Sequence, residues 1–262
     1  MAGPALFPRQ WLASTVIISL FLFLLIGCGG AQKQARVSVP PPPAIQPQTQ
    51  PAGNPSESPE IGPPRDDEDK EAESIPAGTA PLMVETGMAS WYGAPYHNRR
   101  GSNGEVYNMN ALTAAHRTLP LGSIVRVTNL KTGHSTIVRI TDRGPFVEGR
   151  ILDLSMAAAK RVDVWLPGTA KVKMEVLKTP APLMEGGRWA VQIGAFEEHH
   201  EADQVAGKLT RRYRSAKILC FASPVGDWWV RVRVQDDDRK RAEEVARDTQ
   251  TPEGSIFLVR LD

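Results

Sequence analysis

The sequence predicts a mainly β chain with an added α+β unit: a small β-barrel with one helix, then a ferredoxin-like βαββαβ domain, both after a disordered linker. Three observations predict this fold class. Short β-branched runs bounded by Gly, Asn and Pro recur within 86–180. A strand–helix–strand pattern occurs twice within 186–262. Twelve of the 22 prolines fall between Pro40 and Pro81, which sets that stretch apart from the folded part.

The amino terminus, residues 1–27, has the three parts of a signal peptide. Arg9 supplies a weak positive charge, and an uncharged apolar run extends from Trp11 to Ile26. The run ends in Leu-Ile-Gly-Cys, which resembles the bacterial lipobox, a signal that is cleaved before its cysteine. Because several acyl chains hold a soluble protein at a bilayer, we expect a lipid anchor on Cys28. An uncleaved signal anchor is the alternative. Gly29 in place of Asp favours the outer membrane.

Residues 28–85 are predicted to be a disordered linker. They are rich in Pro, Gln, Ser and Glu and contain almost no aromatic residue. The run Pro40–Pro43 favours polyproline II, and the acidic run Asp66–Asp69 repels itself. Such a segment cannot bury enough apolar surface to fold. It therefore reads as a tether between a membrane surface and the folded domains.

Charge and cysteine content restrict the function classes. Segment 85–180 carries 13 Lys or Arg and 7 Asp or Glu, although the whole chain has a net charge of only +2. This positive segment suits an anionic partner. Nucleic acid is disfavoured, because the signal peptide directs the chain out of the cytoplasm. With two cysteines in all, one of them the anchor, no disulfide framework forms, and Cys220 reads as a small apolar residue in a strand.

The barrel domain, 86–180, is built from short strands and one helix. Val125 and Val127 alternate with polar residues, as in a half-buried strand. Ser155 precedes an Ala-rich helix over 156–161 and suits its N-cap. The predicted strands are Met88–Tyr92, Ser123–Thr128, Ser135–Thr141, Ile151–Leu154 and Ala170–Leu177.

The C-terminal domain, 186–262, repeats one pattern. A helix over 198–213 and a second helix, for which Asp236 is the expected cap, each lie between strands. Apolar residues recur along both helices at helical spacing. The order is therefore βαββαβ. The predicted strands are Trp189–Phe196, Lys217–Ala222, Trp228–Val234 and Ser255–Arg260.

Polar residues concentrate beside turn residues in two parts of the barrel. The first part spans 89–122 and includes Ser-Trp-Tyr-Gly, Asn-Gly-Glu-Val-Tyr and Ala-Ala-His; the second includes Thr141–Phe146 and Gly149–Ser155. These stretches resemble the rare lipoprotein A (RlpA) family, whose barrel is a double-psi β-barrel. The strand Trp189–Phe196 resembles the first strand of the SPOR domains that follow this barrel in the family.

The resemblance implies a peptidoglycan lytic transglycosylase. Such an enzyme cuts the β-1,4 bond between N-acetylmuramic acid and N-acetylglucosamine and leaves a 1,6-anhydro end, with no water consumed. One carboxyl group can protonate the leaving oxygen and then take the 6-hydroxyl proton. The family's acid/base position matches Asp142, and its supporting positions match Glu105 and His116. We expect Glu105 to influence the protonation of Asp142 and His116 to orient it or exchange protons with it.

Five further residues are expected to contact glycan: Tyr96, Asn103 and Arg143 in the barrel, and Gln192 and Phe196 in the C-terminal domain. Trp91, inside a strand, reads as core. No cofactor is expected. His97 and His134 lack the tight ligand spacing of a metal site, so no metal is expected either.

The sequence therefore predicts a lipid-anchored envelope enzyme. Its expected place is the outer membrane, facing the periplasm, with enrichment at the division septum. Its expected partner is peptidoglycan, preferably strands without stem peptides, with divisome proteins as further partners. The alternative is a non-catalytic septal glycan-binding lipoprotein or divisome scaffold, because some members of the family bind glycan without cutting it.

Overall fold

The structure, a computed structural model, describes residues 75–76, 78–249, 251 and 254–262. The signal peptide, Cys28 and nearly all of the linker lie outside these residues, so the predictions made for them stay predictions. Within the described part of the chain, no helix is long and apolar enough to cross a membrane.

The first domain is a closed barrel whose strands follow the order β1-β5-β2-β4-β3-β6. β1 pairs in parallel with β5, and β2 pairs in parallel with β4, while the other pairs are antiparallel. Closure leaves no free strand edge. The elements are β1 (Met83–Trp91), β2 (Thr113–Ala115), β3 (Ile124–Asn129), β4 (Ser135–Asp142), β5 (Arg150–Leu154), α1 (Met156–Arg161) and β6 (Ala170–Lys178).

Alternation along the strands decides which side chains fill the barrel. Val125 and Val127 are fully buried, as predicted. Leu152 and Leu154 are also fully buried and belong to the barrel core. Because successive strand residues point to opposite faces, Asp153 between them points outward. The helix α1 begins as predicted, with the Ser155 hydroxyl accepting a hydrogen bond from the Ala158 amide at 3.1 Å.

The second domain has the predicted βαββαβ order, with strand order β10-β7-β9-β8 in a four-stranded sheet. Its core lies between the sheet and the two helices. Asp236 is not the cap of the second helix: Asp238 holds that position and accepts from the Arg241 amide at 2.9 Å. The elements are β7 (Trp189–Phe196), α2 (His199–Arg212), β8 (Lys217–Ala222), β9 (Trp228–Arg233), α3 (Arg239–Asp248) and β10 (Ser255–Arg260).

The barrel and the second sheet belong to one compact unit. Phe146 of the barrel packs against Trp229 and Phe257, with ring centroids 5.2 and 5.8 Å apart. The Arg260 amide donates to the Arg117 carbonyl at 3.0 Å. Trp229 and Phe257 lie on the sheet face opposite the helices, yet each is only 7% exposed. The barrel therefore covers part of that face. The predicted fold class, a barrel followed by a ferredoxin-like domain, is confirmed.

Candidate active site

Asp142 is the last residue of β4, where the strand opens into a loop. Its Oδ1 accepts three hydrogen bonds: from the Ser102 amide at 2.9 Å, the Ser102 hydroxyl at 2.6 Å and the Arg143 amide at 2.7 Å. Its Oδ2 has no hydrogen-bond partner among the described residues. The carboxyl group is thus fixed through one oxygen and presents the other, which suits a group that exchanges protons with a ligand.

The loop over 101–107 holds Asp142 in place. The Asn103 amide donates to the Thr141 carbonyl at 3.2 Å, and the Gly101 amide donates to the Glu105 carbonyl at 2.8 Å. The Glu105 carboxylate accepts from the Asn103 side-chain amide at 2.6 Å and from Arg139 at 3.1 Å. The structure therefore brings Glu105 and Asn103 next to Asp142. Their side chains bind each other, so both stiffen the loop that clamps the carboxyl group.

His116 is placed differently from the prediction. Its ring Nδ1 accepts from the amides of Thr118 and Leu119 at 3.1 and 3.0 Å, and its Nε2 lies 3.7 Å from Glu85. Burial lowers the pKa of His116, so the ring is neutral at pH 7. No hydrogen bond joins the ring to Asp142; the two residues meet only where the His116 amide donates to the Asp142 carbonyl at 3.1 Å. His116 therefore fixes the turn after β2.

A second carboxyl group, Asp153, lies on the same outer face of the barrel. Ala115 of β2 pairs with Asp142 on one side and Asp153 on the other. Neighbouring strands are ~4.8 Å apart, so the two backbones are separated by about 10 Å. Arg150 donates to the Asp153 Oδ2 at 2.9 Å, whereas its buried Oδ1 has no partner among the described residues. Burial raises the pKa of Asp153 to about 6, against the pull of Arg150.

Asp153 was not among the predicted site residues, although the sequence contains a signal for it. The residue stands between two leucines in a strand, and a carboxylate is rarely placed inside a barrel core. Alternation alone would have put it on the outer face. Its burial, however, depends on residues far away along the chain.

Tyrosines border the two carboxyl groups. Tyr96, in a short 3-10 turn over Ala94–Tyr96, meets Tyr92 edge-to-face with ring centroids 5.8 Å apart. Burial and then the negative charges of Asp153, Asp227 and Asp142 raise the pKa of Tyr96. Its hydroxyl therefore lies within the field of both barrel carboxyl groups. The predicted contact between Tyr96 and a sugar stays a prediction.

The Arg143 side chain, predicted to contact glycan, is buried and turned toward the protein interior. It is 8% exposed, and its guanidinium donates to the carbonyls of His116, Leu119 and Asp262 at 3.1, 2.6 and 2.5 Å. Burial lowers its pKa to about 10, which still leaves it charged at neutral pH. Its contacts tie the barrel turn to the end of the chain.

The two glycan contacts predicted in the C-terminal domain are also buried. Phe196 is 1% exposed and lies in the core on the helix side of the sheet. Gln192 lies on the opposite face, is 2% exposed, and accepts two hydrogen bonds from Arg231 at 3.1 and 2.6 Å. Phe196 therefore serves the core. Trp91 also packs against a core, that of the barrel, as expected.

The two histidines considered for metal binding have other partners. The His97 Nδ1 accepts from the Met109 amide at 3.3 Å, and the His134 Nδ1 lies 2.6 Å from Asp163. Neither belongs to a group of three metal-ligand side chains within the described residues.

The geometry defines a class: a closed barrel with a carboxyl pair on its outer face, joined to a sheet-and-helix domain. Both domains match known family models. Residues 84–174 match a family model described as lytic transglycolase, and residues 185–250 match that of the SPOR domain. The barrel is therefore similar to lytic transglycolase domains, and the second domain is similar to SPOR domains.

Several curated proteins similar to this chain are described as endolytic peptidoglycan transglycosylase RlpA. The protein from Campylobacter jejuni is 40% identical over 163 residues, covering 53% of this chain and 59% of its own length. One from Neisseria meningitidis serogroup A is 46% identical over 136 residues, covering 51% and 57%. One from Vibrio cholerae is 53% identical over 100 residues, covering 38% of each. The predicted resemblance is confirmed, and the chain spans between 38% and 59% of these relatives' lengths.

Solved structures resemble the chain only distantly. The Streptomyces papain inhibitor matches at 19% identity with a TM-score of 0.32, covering 37% of this chain and 97% of its own. An expansin from Clavibacter michiganensis matches at 16% identity with a TM-score of 0.31, covering 59% and 81%. Likenesses this weak support no argument about function.

Proposed function

We propose that this protein is a lytic transglycosylase that cuts peptidoglycan strands internally, from a lipid anchor on Cys28 in the bacterial envelope. The single observation that carries the proposal is the Asp142 carboxyl group. One of its oxygens is fixed by three hydrogen bonds and the other has no partner among the described residues. The similarity to the RlpA relatives supports the same activity.

The reaction we propose balances without water. The proton on Asp142 Oδ2 passes to the glycosidic oxygen, and the bond from that oxygen to the muramic anomeric carbon breaks. The 6-hydroxyl oxygen of the same sugar bonds to that carbon, and its proton passes to Asp142. The carboxyl group is restored, and the products are a 1,6-anhydro end and a free 4-hydroxyl. One carboxyl group thus serves as acid and then as base.

Asp153 contributes an electrostatic effect in this proposal. Glycosidic cleavage passes through a transition state with positive charge near the anomeric carbon. A carboxylate held in a site of low polarity stabilises such charge more than water does. Since its pKa is raised to about 6, Asp153 supplies this charge above that pH and loses it below.

We further propose that the SPOR domain binds peptide-free glycan and so enriches the protein at the septum. Part of its open sheet face is covered by Phe146. The remainder includes Phe221 and Arg231, whose guanidinium lies 5.0 Å above the Phe221 ring. An aromatic ring beside a charged donor suits a sugar ring with its hydroxyl groups. Divisome proteins remain further proposed partners.

One observation favours a second candidate function, a glycan-binding protein that does not cut. His116, a position that the family resemblance implies in catalysis, faces Glu85 rather than Asp142. A binder would need the same groove and aromatic residues but no proton transfer.

Digestion of purified peptide-free glycan, followed by mass spectrometry, tests the proposal. We expect fragments with 1,6-anhydro ends. Reducing ends would instead indicate a hydrolase, and intact glycan that co-sediments with the protein would establish the binder.

A further inference from the structure

Three side chains that bind metals in other proteins meet at one edge of the C-terminal domain. His199 is the first residue of α2, and Asp203 follows one turn later on the same helix face. Cys220, on the edge strand β8, packs toward the helix side of the sheet. One donor atom from each side chain lies within 4.8 Å of the other two.

The distances suit a tetrahedral ion. The His199 Nε2 and the Asp203 Oδ2 are 3.4 Å apart. In a tetrahedral zinc site with bonds of ~2.0–2.1 Å, two such donors lie about 3.4 Å apart. The His199 ring also packs against Trp228, with ring centroids 4.0 Å apart, which orients its Nε2 toward Asp203.

The donor chemistry points the same way. A divalent cation next to Cys220 would bind its sulfur as a thiolate, because a coordinated thiol is deprotonated outright. Sulfur, imidazole and carboxylate together form a zinc-type donor set, whereas Mg²⁺ and Ca²⁺ prefer oxygen donors alone.

We propose that His199, Asp203 and Cys220 bind one zinc ion, with water in the fourth position. The His199 and Asp203 side chains are 53% and 54% exposed, so the ion enters directly from solvent. Once bound, it joins the first turn of α2 to the edge strand β8 and stabilises the C-terminal domain. This site is separate from the barrel carboxyl groups, and it does not depend on the proposed glycan cleavage.

The barrel offers a matched comparison. His134 and Asp163 form a closer pair, at 2.6 Å, and they too are exposed, but they belong to no group of three ligand side chains within the described residues. If an exposed His–Asp pair alone bound zinc, both sites would do so. If the thiol is needed, only the site with Cys220 will.

Titration of the full-length protein with Co²⁺, a spectroscopic substitute for Zn²⁺, tests the site. We expect one equivalent of Co²⁺ to give a thiolate charge-transfer band and visible bands of tetrahedral cobalt, and Zn²⁺ to displace it. Cys220→Ser should abolish the thiolate band, and Asp203→Asn should weaken binding at least about 10-fold. His134→Ala should change neither.

A second readout is the unfolding temperature, which Zn²⁺ should raise in the natural protein but not in Cys220→Ser, because an ion that binds only the folded state stabilises it. A thiolate band that survived Cys220→Ser would not come from this site and would overturn the proposal. Absence of any thiolate band at stoichiometric Co²⁺ in the natural protein would overturn it as well.

Discussion

The barrel and the C-terminal domain place their charged side chains in different environments. The barrel buries Asp153, and this burial raises the pKa of its carboxyl group to about 6. The C-terminal domain also buries a carboxylate but pairs it: Asp237 is 8% exposed, yet hydrogen bonds from Arg233 and Arg188 lower its pKa. Burying a charged group is costly, and such costs concentrate at functional sites. The difference supports the proposal that the barrel, rather than the second domain, carries the chemistry.

The largest effect is expected from Asp142→Asn. An amide cannot donate and take back the proton, so cleavage should fall about 100- to 10,000-fold. Glycan binding should persist, since the amide keeps the shape of the side chain. Release of anhydro fragments and co-sedimentation with glycan measure the two effects. Asp163→Asn, which removes an exposed barrel carboxylate outside the site, should leave cleavage unchanged; an equal loss in both variants would contradict the assignment.

Asp153→Asn should reduce cleavage about 100-fold, as expected for loss of a charge near the transition state. The natural protein should lose activity as the pH falls through about 6, the pKa of Asp153, and the variant should lack this dependence. Initial rates across pH 5 to 8 test this. An unchanged acidic limb in Asp153→Asn would show that another group titrates there.

The pH dependence of stability tests the raised pKa of Asp153 independently of activity. Because its pKa is about 6 in the folded state and about 4 in an unfolded chain, the folded state binds more protons between these values. The free energy of unfolding should therefore fall as pH rises from about 4 to about 6. Asp153→Asn should remove this slope. Thermal unfolding across that range, with Asp163→Asn as the control, measures it.

Removing the contact between the two domains should have a smaller effect, and this effect should be on stability. Phe146→Ala removes two ring contacts, each contributing about 0.5–1.5 kcal/mol, so the free energy of unfolding should drop by about 1–3 kcal/mol. We expect one calorimetric transition to separate into two. Trp165→Ala removes a 37% exposed aromatic residue of the barrel and should leave a single transition. Retention of one transition in Phe146→Ala would mean that the remaining contacts, such as those of Arg117 with Arg260 and of Arg143 with Asp262, are enough to couple the unfolding of the two domains.

The smallest effect distinguishes two aspartates before α3. Asp238→Ala should destabilise the protein by about 1 kcal/mol, the usual contribution of an N-cap, because Asp238 accepts from the Arg241 amide. Asp236→Ala should cost less. Denaturant unfolding of both variants compares them, and the reverse order would restore Asp236 as the cap.

Local patterns in the sequence were enough to predict most of the fold. Strand alternation at Val125 and Val127 and the cap at Ser155 depend on neighbours along the chain, and both predictions are confirmed. The motif around Asp142 also located the carboxyl group at a strand end. These features need no knowledge of distant contacts, which is why the sequence reveals them.

The remaining features depend on contacts between distant residues. His116 faces Glu85, which comes from another strand. Phe196 was predicted as a glycan contact, but the pairing of β7 with β9 is irregular between Ile193 and Phe196. A shift of one residue moves a side chain to the other face of a sheet, and here it moves Phe196 into the core. The residues around Phe196 in the sequence do not predict this shift in strand pairing.

Cleavage in water labelled with heavy oxygen tests the central claim most directly. A reaction in which the muramic 6-hydroxyl attacks its own anomeric carbon takes no oxygen from the solvent. We therefore predict anhydro-ended fragments without label from the natural protein, and almost none from Asp142→Asn. Fragments carrying one labelled oxygen at a reducing end would show hydrolysis and contradict the account.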